Sequence, residues 1–217
     1  MYRSFAPFFI SISNRGRILG AKVERYQFTE NDTTRDELLV TNVNIGKVEN
    51  IIINSIDVAE VYSGSSYGRT GERWKAYDGS QRRATPIIAG YSLPQANQLK
   101  SALPFKLPNG NHTGYIKNIV FNDVRVLVKG GSAVSDTSAA PPELGVGQYN
   151  VSNLKVQPSY GLWARHVDGL TVKNCRFAFE KPDGRYPIFL DDVLNARISD
   201  IQTMKTKENQ TEVKQKN

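Results

Sequence analysis

Asp191-Asp192 is the only pair of adjacent aspartates in the chain. Paired carboxylates can act as general acid and base, and on a strand consecutive residues point to opposite faces, so one of the two could face a cleft. Arg165-His166 lies 26 residues earlier and aligns with them inside a repeated pattern. Arg–Asp pairing between stacked strands is then the cheaper explanation, with the aspartates as an edge or turn ladder. Asp191, Asp192, Arg165 and His166 are therefore read as structural. The other dense group of reactive side chains is Arg69, Arg73, Lys75, Arg82 and Arg83, interleaved with Tyr67, Trp74 and Tyr77. Arginine pairs bidentately with carboxylates and aromatic faces stack on sugar rings, so Arg69, Arg73, Trp74, Lys75, Arg82 and Arg83 are the candidate substrate-binding set. A solvated basic loop is the plainer alternative.

Four segments carry the elements that must position these residues. Val48 to Ile56 (VENIIINSI), Ile116 to Val124 (IKNIVFNDV), Val167 to Cys175 (VDGLTVKNC) and Val193 to Ile201 (VLNARISDI) share one pattern of nine residues. Positions one, four, six and nine are apolar in every copy. Positions four and six share a strand face, whereas the steps from one to four and from six to nine are odd and would turn a side chain outward on a straight strand. A bend must intervene at each odd step. Position three is Asn50, Asn118, Gly169 and Asn195, and position eight is Ser55, Asp123, Asn174 and Asp200. Such residues tolerate the left-handed conformation or satisfy nearby backbone groups. The pattern predicts short strand, corner, short strand, with every apolar side chain inward.

Val167 to Val193 spans 26 residues, Ile116 to Val167 spans 51 and Val48 to Ile116 spans 68. One unit of about 25 residues is one turn of a parallel β-helix, whose strands stack at ~4.8 Å. The longer spacings place insertions at about 63–84, 92–114 and 130–150, which are expected to project as loops. Coils are expected over 1–201, followed by a polar tail over 202–217 that is expected to fray.

Composition agrees with one all-β domain of 217 residues, with ten Tyr and nine Phe favouring strands. Cys175, the single cysteine, falls at an inward repeat position and reads as core. No apolar run reaches the ~18 residues of a membrane span. The start, MYRSFAPFFISIS, reads as a strand rather than a signal peptide. The net charge of +7 admits an anionic partner, yet the lysines scatter without a stripe, which argues against nucleic acid.

Tyr160 to Val193 (YGLWARHVDGLTVKNCRFAFEKPDGRYPIFLDDV), together with Ala6 to Arg17 (APFFISISNRGR), resembles the C-terminal part of glycoside hydrolase family 28, the polygalacturonases and rhamnogalacturonases. The resemblance extends from Ala6 to about Ile201 and is weakest in the insertions. It implies a right-handed, single-stranded, pectin-lyase-like solenoid. It also implies inverting hydrolysis of galacturonate-containing polysaccharide without metal or cofactor, in relatives that are secreted or periplasmic.

The family's catalytic set does not carry over. Inverting hydrolysis needs an acid and a base ~6.5–9.5 Å apart, and the family supplies them from N-x-D and D-D motifs beside G-H-G and R-x-K. This chain has no N-x-D, and its histidines stand in NHT (His112) and RHV (His166). Arg73-Trp74-Lys75 matches R-x-K but lies in a Gly-rich loop, out of the family's order. No catalytic residue is assigned. The expected chain is the back part of a pectin-active β-helix, truncated inside a coil and inactive without its upstream half. The alternative is a non-catalytic or vestigial carbohydrate-binding β-helix, and a lyase-like β-helix would need calcium ligands that the sequence does not group. An apolar first coil is expected to stack on that upstream half or to self-associate.

Overall fold

The computed structural model describes residues 6–11, 23–27, 35–39, 47–61, 85–92, 113–143 and 154–216. The fold is all-β, with no α-helix among the described residues. The strands in chain order are β1 (Phe9–Ser11), β2 (Val23–Gln27), β3 (Arg35–Leu39), β4 (Glu49–Val61), β5 (Ile87–Ala89), β6 (Tyr91–Ser92) and β7 (Thr113–Gly114). They continue with β8 (Ile116–Gly130), β9 (Ser159–Lys173), β10 (Arg176–Lys181), β11 (Tyr186–Leu194), β12 (Arg197–Ser199), β13 (Gln202–Thr203) and β14 (Val213–Lys216).

Ten of these strands form one sheet whose pairings are all parallel. Its register is the register of the repeat. Ile51 pairs with Ile119 and Ile119 with Leu170, which are three copies of position four. Ile53, Phe121, Val172 and Ile198 form the position-six row in the same way. Slipping any strand by one residue would expose its apolar set, so the inward pattern enforces this register.

The bends fall where the sequence places them. Asn50, Asn118, Gly169 and Asn195 all have positive φ, as do Ser55, Asp123, Asn174 and Asp200. Neighbouring bend residues also bond to each other, Asn118 Nδ2 donating to Asn50 Oδ1 at 3.0 Å. At Gly169 a Cβ would stand 3.0 Å from the Asn118 side-chain oxygen, so the glycine leaves room for that asparagine. A third left-handed position, not foreseen, precedes position one: His166 (φ 51°) and Asp192 (φ 52°).

Burial follows from stacking. The middle copies bury Ile116, Ile119, Phe121 and Val124 and then Val167, Leu170, Val172 and Cys175, because each lies between two neighbouring rows. Ile51, Ile53, Ile198 and Ile201 are packed on one side and are only partly buried. Phe8 meets Phe121 edge to face, at 5.8 Å between ring centres. On the opposite face of β5, β9 and β11 a second cluster forms from Ile87, Ala89, Leu154, Trp163 and Phe189. Burial on both faces explains the uninterrupted apolar runs in PIIAG, YGLWA and YPIFL.

Several expectations are corrected. The polar tail does not fray: β13 pairs with β10, and β14 extends the sheet beside β11. Arg165 and His166, which the spacing does not place within a strand, lie in the interior of β9. The described part of the 130–150 insertion does not simply project. It makes a 3₁₀ turn at Val134–Ser138 and returns to Arg165 through Pro141 and Pro142. The 92–114 insertion is closed by the antiparallel pair β6–β7, and the antiparallel hairpin β2–β3 went unread in the sequence. Most of the 63–84 and 92–114 insertions lies outside the described residues.

Candidate functional site

The chemistry-bearing side chains gather just beyond the end of β5 and at the left-handed bends inside β9 and β11. Ala89, Arg165 and Asp191 occupy one row of the ladder, through the pairings Ala89 with Arg165 and Arg165 with Asp191. The next row holds Gly90, His166 and Asp192. The Gly90 row must be a glycine: a Cβ would stand 2.4 Å from the carbonyl oxygens of both Gly114 and His166.

Consecutive strand residues should face opposite ways, but the left-handed φ at His166 and Asp192 breaks the alternation. Arg165 and His166 therefore reach the same carboxylate, Glu143. Its Oε1 lies 3.2 Å from Arg165 Nη1 and 3.3 Å from His166 Nε2. Behind them the two aspartates act separately. Arg165 Nε donates to Asp191 Oδ2 at 2.7 Å, and His166 Nδ1 meets Asp192 Oδ2 at 2.6 Å. Arg165 Nη1 also donates to the carbonyls of Pro141 (2.8 Å) and Pro142 (3.3 Å). Its guanidinium lies 4.7 Å from the Trp163 ring centre, a cation–π contact. Tyr115 donates to Asp192, 3.1 Å from Oδ1 and 3.0 Å from Oδ2, with its ring edge-on to His166.

His166 has a carboxylate at each ring nitrogen, and donating to both requires the imidazolium. Burial alone would lower its pKa, but hydrogen bonding and charge from Glu143 and then Asp192 outweigh it, and the net shift is upward. Burial and the bond to Asp192 push the Tyr115 phenol up to about 12, so it stays a donor. Each of the three carboxylates thus meets a cation. The arrangement holds charges in place and can seat a carboxylate, whereas inverting hydrolysis needs two carboxyls flanking the scissile glycosidic bond with room for a water.

The four residues read as structural are brought together, Arg165 with Asp191 in the expected Arg–Asp pair and His166 with Asp192 beside it. The candidate binding residues Arg69, Arg73, Trp74, Lys75, Arg82 and Arg83 lie outside the described residues. Sequence reasoning missed three members. Tyr115 directly precedes position one, as His166 and Asp192 do, and that shared place was a readable signal. Gly90 had no such signal beyond following an apolar run, and Glu143, in a Pro-Pro-Glu stretch, had none. Among the described residues no group of three or more His, Cys, Asp or Glu side chains could hold a metal ion, and no helix is long and apolar enough to cross a membrane. Comparison with protein-family models, with curated proteins and with solved structures finds no match.

Proposed function

We propose that the stacked strands wind as a right-handed parallel β-helix of the pectin-active kind. On this reading the chain is a C-terminal portion of a polygalacturonase-type glycoside hydrolase, directed at an acidic plant polysaccharide and unable to cleave it alone. The in-register stacking of the repeat, with left-handed residues at both bends of every copy, supports the winding. The single observation that carries the functional part is the tethering of Asp191 by Arg165 and of Asp192 by His166 and Tyr115. The only adjacent aspartates are latches between rows, and the N-x-D and G-H-G motifs that the resemblance would require are absent from the 217 residues.

A reducing-end assay on polygalacturonate and rhamnogalacturonan tests this. The purified chain is expected to show no turnover. Activity above ~1 s⁻¹, the low end of ordinary enzymes, that is lost in Asp191→Asn or Asp192→Asn would overturn the latch assignment. The second reading, a non-catalytic carbohydrate-binding β-helix, is favoured by the Arg165–His166 pair, whose charged groups converge on one carboxylate. Oligogalacturonate binding without turnover, even when the chain is supplied with an upstream catalytic half, would select it.

A further inference from the structure

Glu143 sits on Arg165 and His166 as a bound ligand would. Its Oε1 is within reach of Arg165 Nη1 and His166 Nε2, and its Oε2 is also 3.3 Å from Nε2. The two donors are deep, with side chains 9% and 11% exposed, while the Glu143 side chain is 45% exposed. The occupant therefore lies at the mouth of the seat it fills. Asp191 and Asp192 hold the far sides of the guanidinium and the imidazole. That fixes both groups: His166 Nε2 faces the mouth as a charge-assisted donor, while Arg165 Nη1, whose two N–H bonds go to Pro141 and Pro142, sets its positive charge 3.2 Å from the Glu143 carboxylate.

We propose that Arg165 and His166 form a carboxylate-binding seat for a uronate residue of an acidic sugar, and that Glu143 fills it as a tethered competitor when no ligand is bound. The sugar class rests on the polysaccharide reading above, while the seat itself rests on the geometry alone. Turning the Glu143 side chain outward would vacate it while Arg165 stays held by the backbone carbonyls of Pro141 and Pro142. Exchanging one carboxylate for another keeps the charge of the cluster constant, so neither buried cation is left without a counterion. A phosphate dianion would add negative charge beside Asp191 and Asp192, which favours a singly charged anion. Tyr115, edge-on to His166 and only partly buried, is the aromatic group beside the seat, while Trp163 is fully buried and backs the guanidinium from the core side. A side chain on a short tether competes at an effective concentration of order mM.

The test follows the His166 ring signals by NMR, assigned through His166→Gln, during titration of the full chain with sodium acetate and with trigalacturonate. Wild type, Glu143→Ala and Glu143→Gln are compared. Vacating the seat is expected to tighten both ligands by about tenfold, within the ordinary range of coupling between sites. Glu143→Gln should lie nearer to Glu143→Ala than to wild type, since the amide has lost the charge. If acetate moves the His166 signals of Glu143→Ala and trigalacturonate does not, the seat stands and the acidic-polysaccharide reading falls. If neither ligand moves them in either variant, or wild type binds as tightly as Glu143→Ala, the seat itself is refuted.

Discussion

Replacing Asp183 by asparagine should be among the most damaging single changes this chain can suffer. Asp183 and Arg185 are both buried, at 1% and 2% exposure, and they bond bidentately: Nε to Oδ1 at 2.9 Å and Nη2 to Oδ2 at 3.0 Å. The same carboxylate accepts the backbone N–H groups of Arg185 (3.1 Å) and Ser132 (3.4 Å). Arg185 Nη1 goes on to Thr85 Oγ1 and the Gln157 carbonyl. Asparagine keeps one acceptor oxygen, but it turns an NH₂ towards a donor and leaves the guanidinium buried without a countercharge. Breaking a buried pair from one side costs about 3–5 kcal/mol, against a total stability of about 5–15 kcal/mol for ordinary domains. Urea unfolding followed by far-UV circular dichroism measures the loss. The double variant Asp183→Asn, Arg185→Met removes the uncompensated charge and should recover at least ~2 kcal/mol, a coupling expected of residues in direct contact. A loss below ~1 kcal/mol for Asp183→Asn, or no recovery in the double variant, would refute the argument.

Two further changes probe the bend. Gly90→Ala drives a Cβ against two backbone oxygens that cannot rotate away, so a loss of about 1–3 kcal/mol is expected, read as a Tm lower by several degrees. The stability contributed by His166, which faces Asp192, Glu143 and Tyr115 with Arg165 beside it, should be full below the unfolded pKa of about 6.5 and lost as pH rises through the higher folded value. Urea midpoints measured across that range for wild type and His166→Gln check the sign, and a wild type that gains stability relative to His166→Gln as pH rises would contradict it.

The ladder was legible in the sequence because its cause is local. Apolar residues at odd and even steps within nine residues reveal both strands and bends, and the spacing between copies gives the register. The bend before position one was harder to see. Its left-handed residues, His166 and Asp192, differ in chemical type, so the composition that marks the other two bends is missing. Only Arg165 with Asp191 and His166 with Asp192 could be matched by alignment. Glu143 reaches the cluster through an irregular segment, and no periodicity connects it to its partners. The Asp183–Arg185 pair is similar: nothing periodic links KPDGR to Ser132 and Asn209, the distant residues that bond to its carboxylate and to the Gly184 carbonyl.

Within the four-copy repeat the offsets between stacked rows shrink along the chain, from 68 residues between Asn50 and Asn118, to 51 between Asp123 and Asn174, to 26 between Arg165 and Asp191. Each offset is also the length of chain that must be closed before that pair of rows can form. Closure entropy grows only logarithmically, so the longest step costs about 0.9 kcal/mol more than the shortest, enough to order events without blocking any. Folding is therefore expected to start with β9 on β11 and to grow towards the N-terminus, each new row using the last as its template. Pulse-labelled hydrogen exchange would show amides of 186–194 protected before those of 49–61, and the reverse order would place the nucleus at the other end.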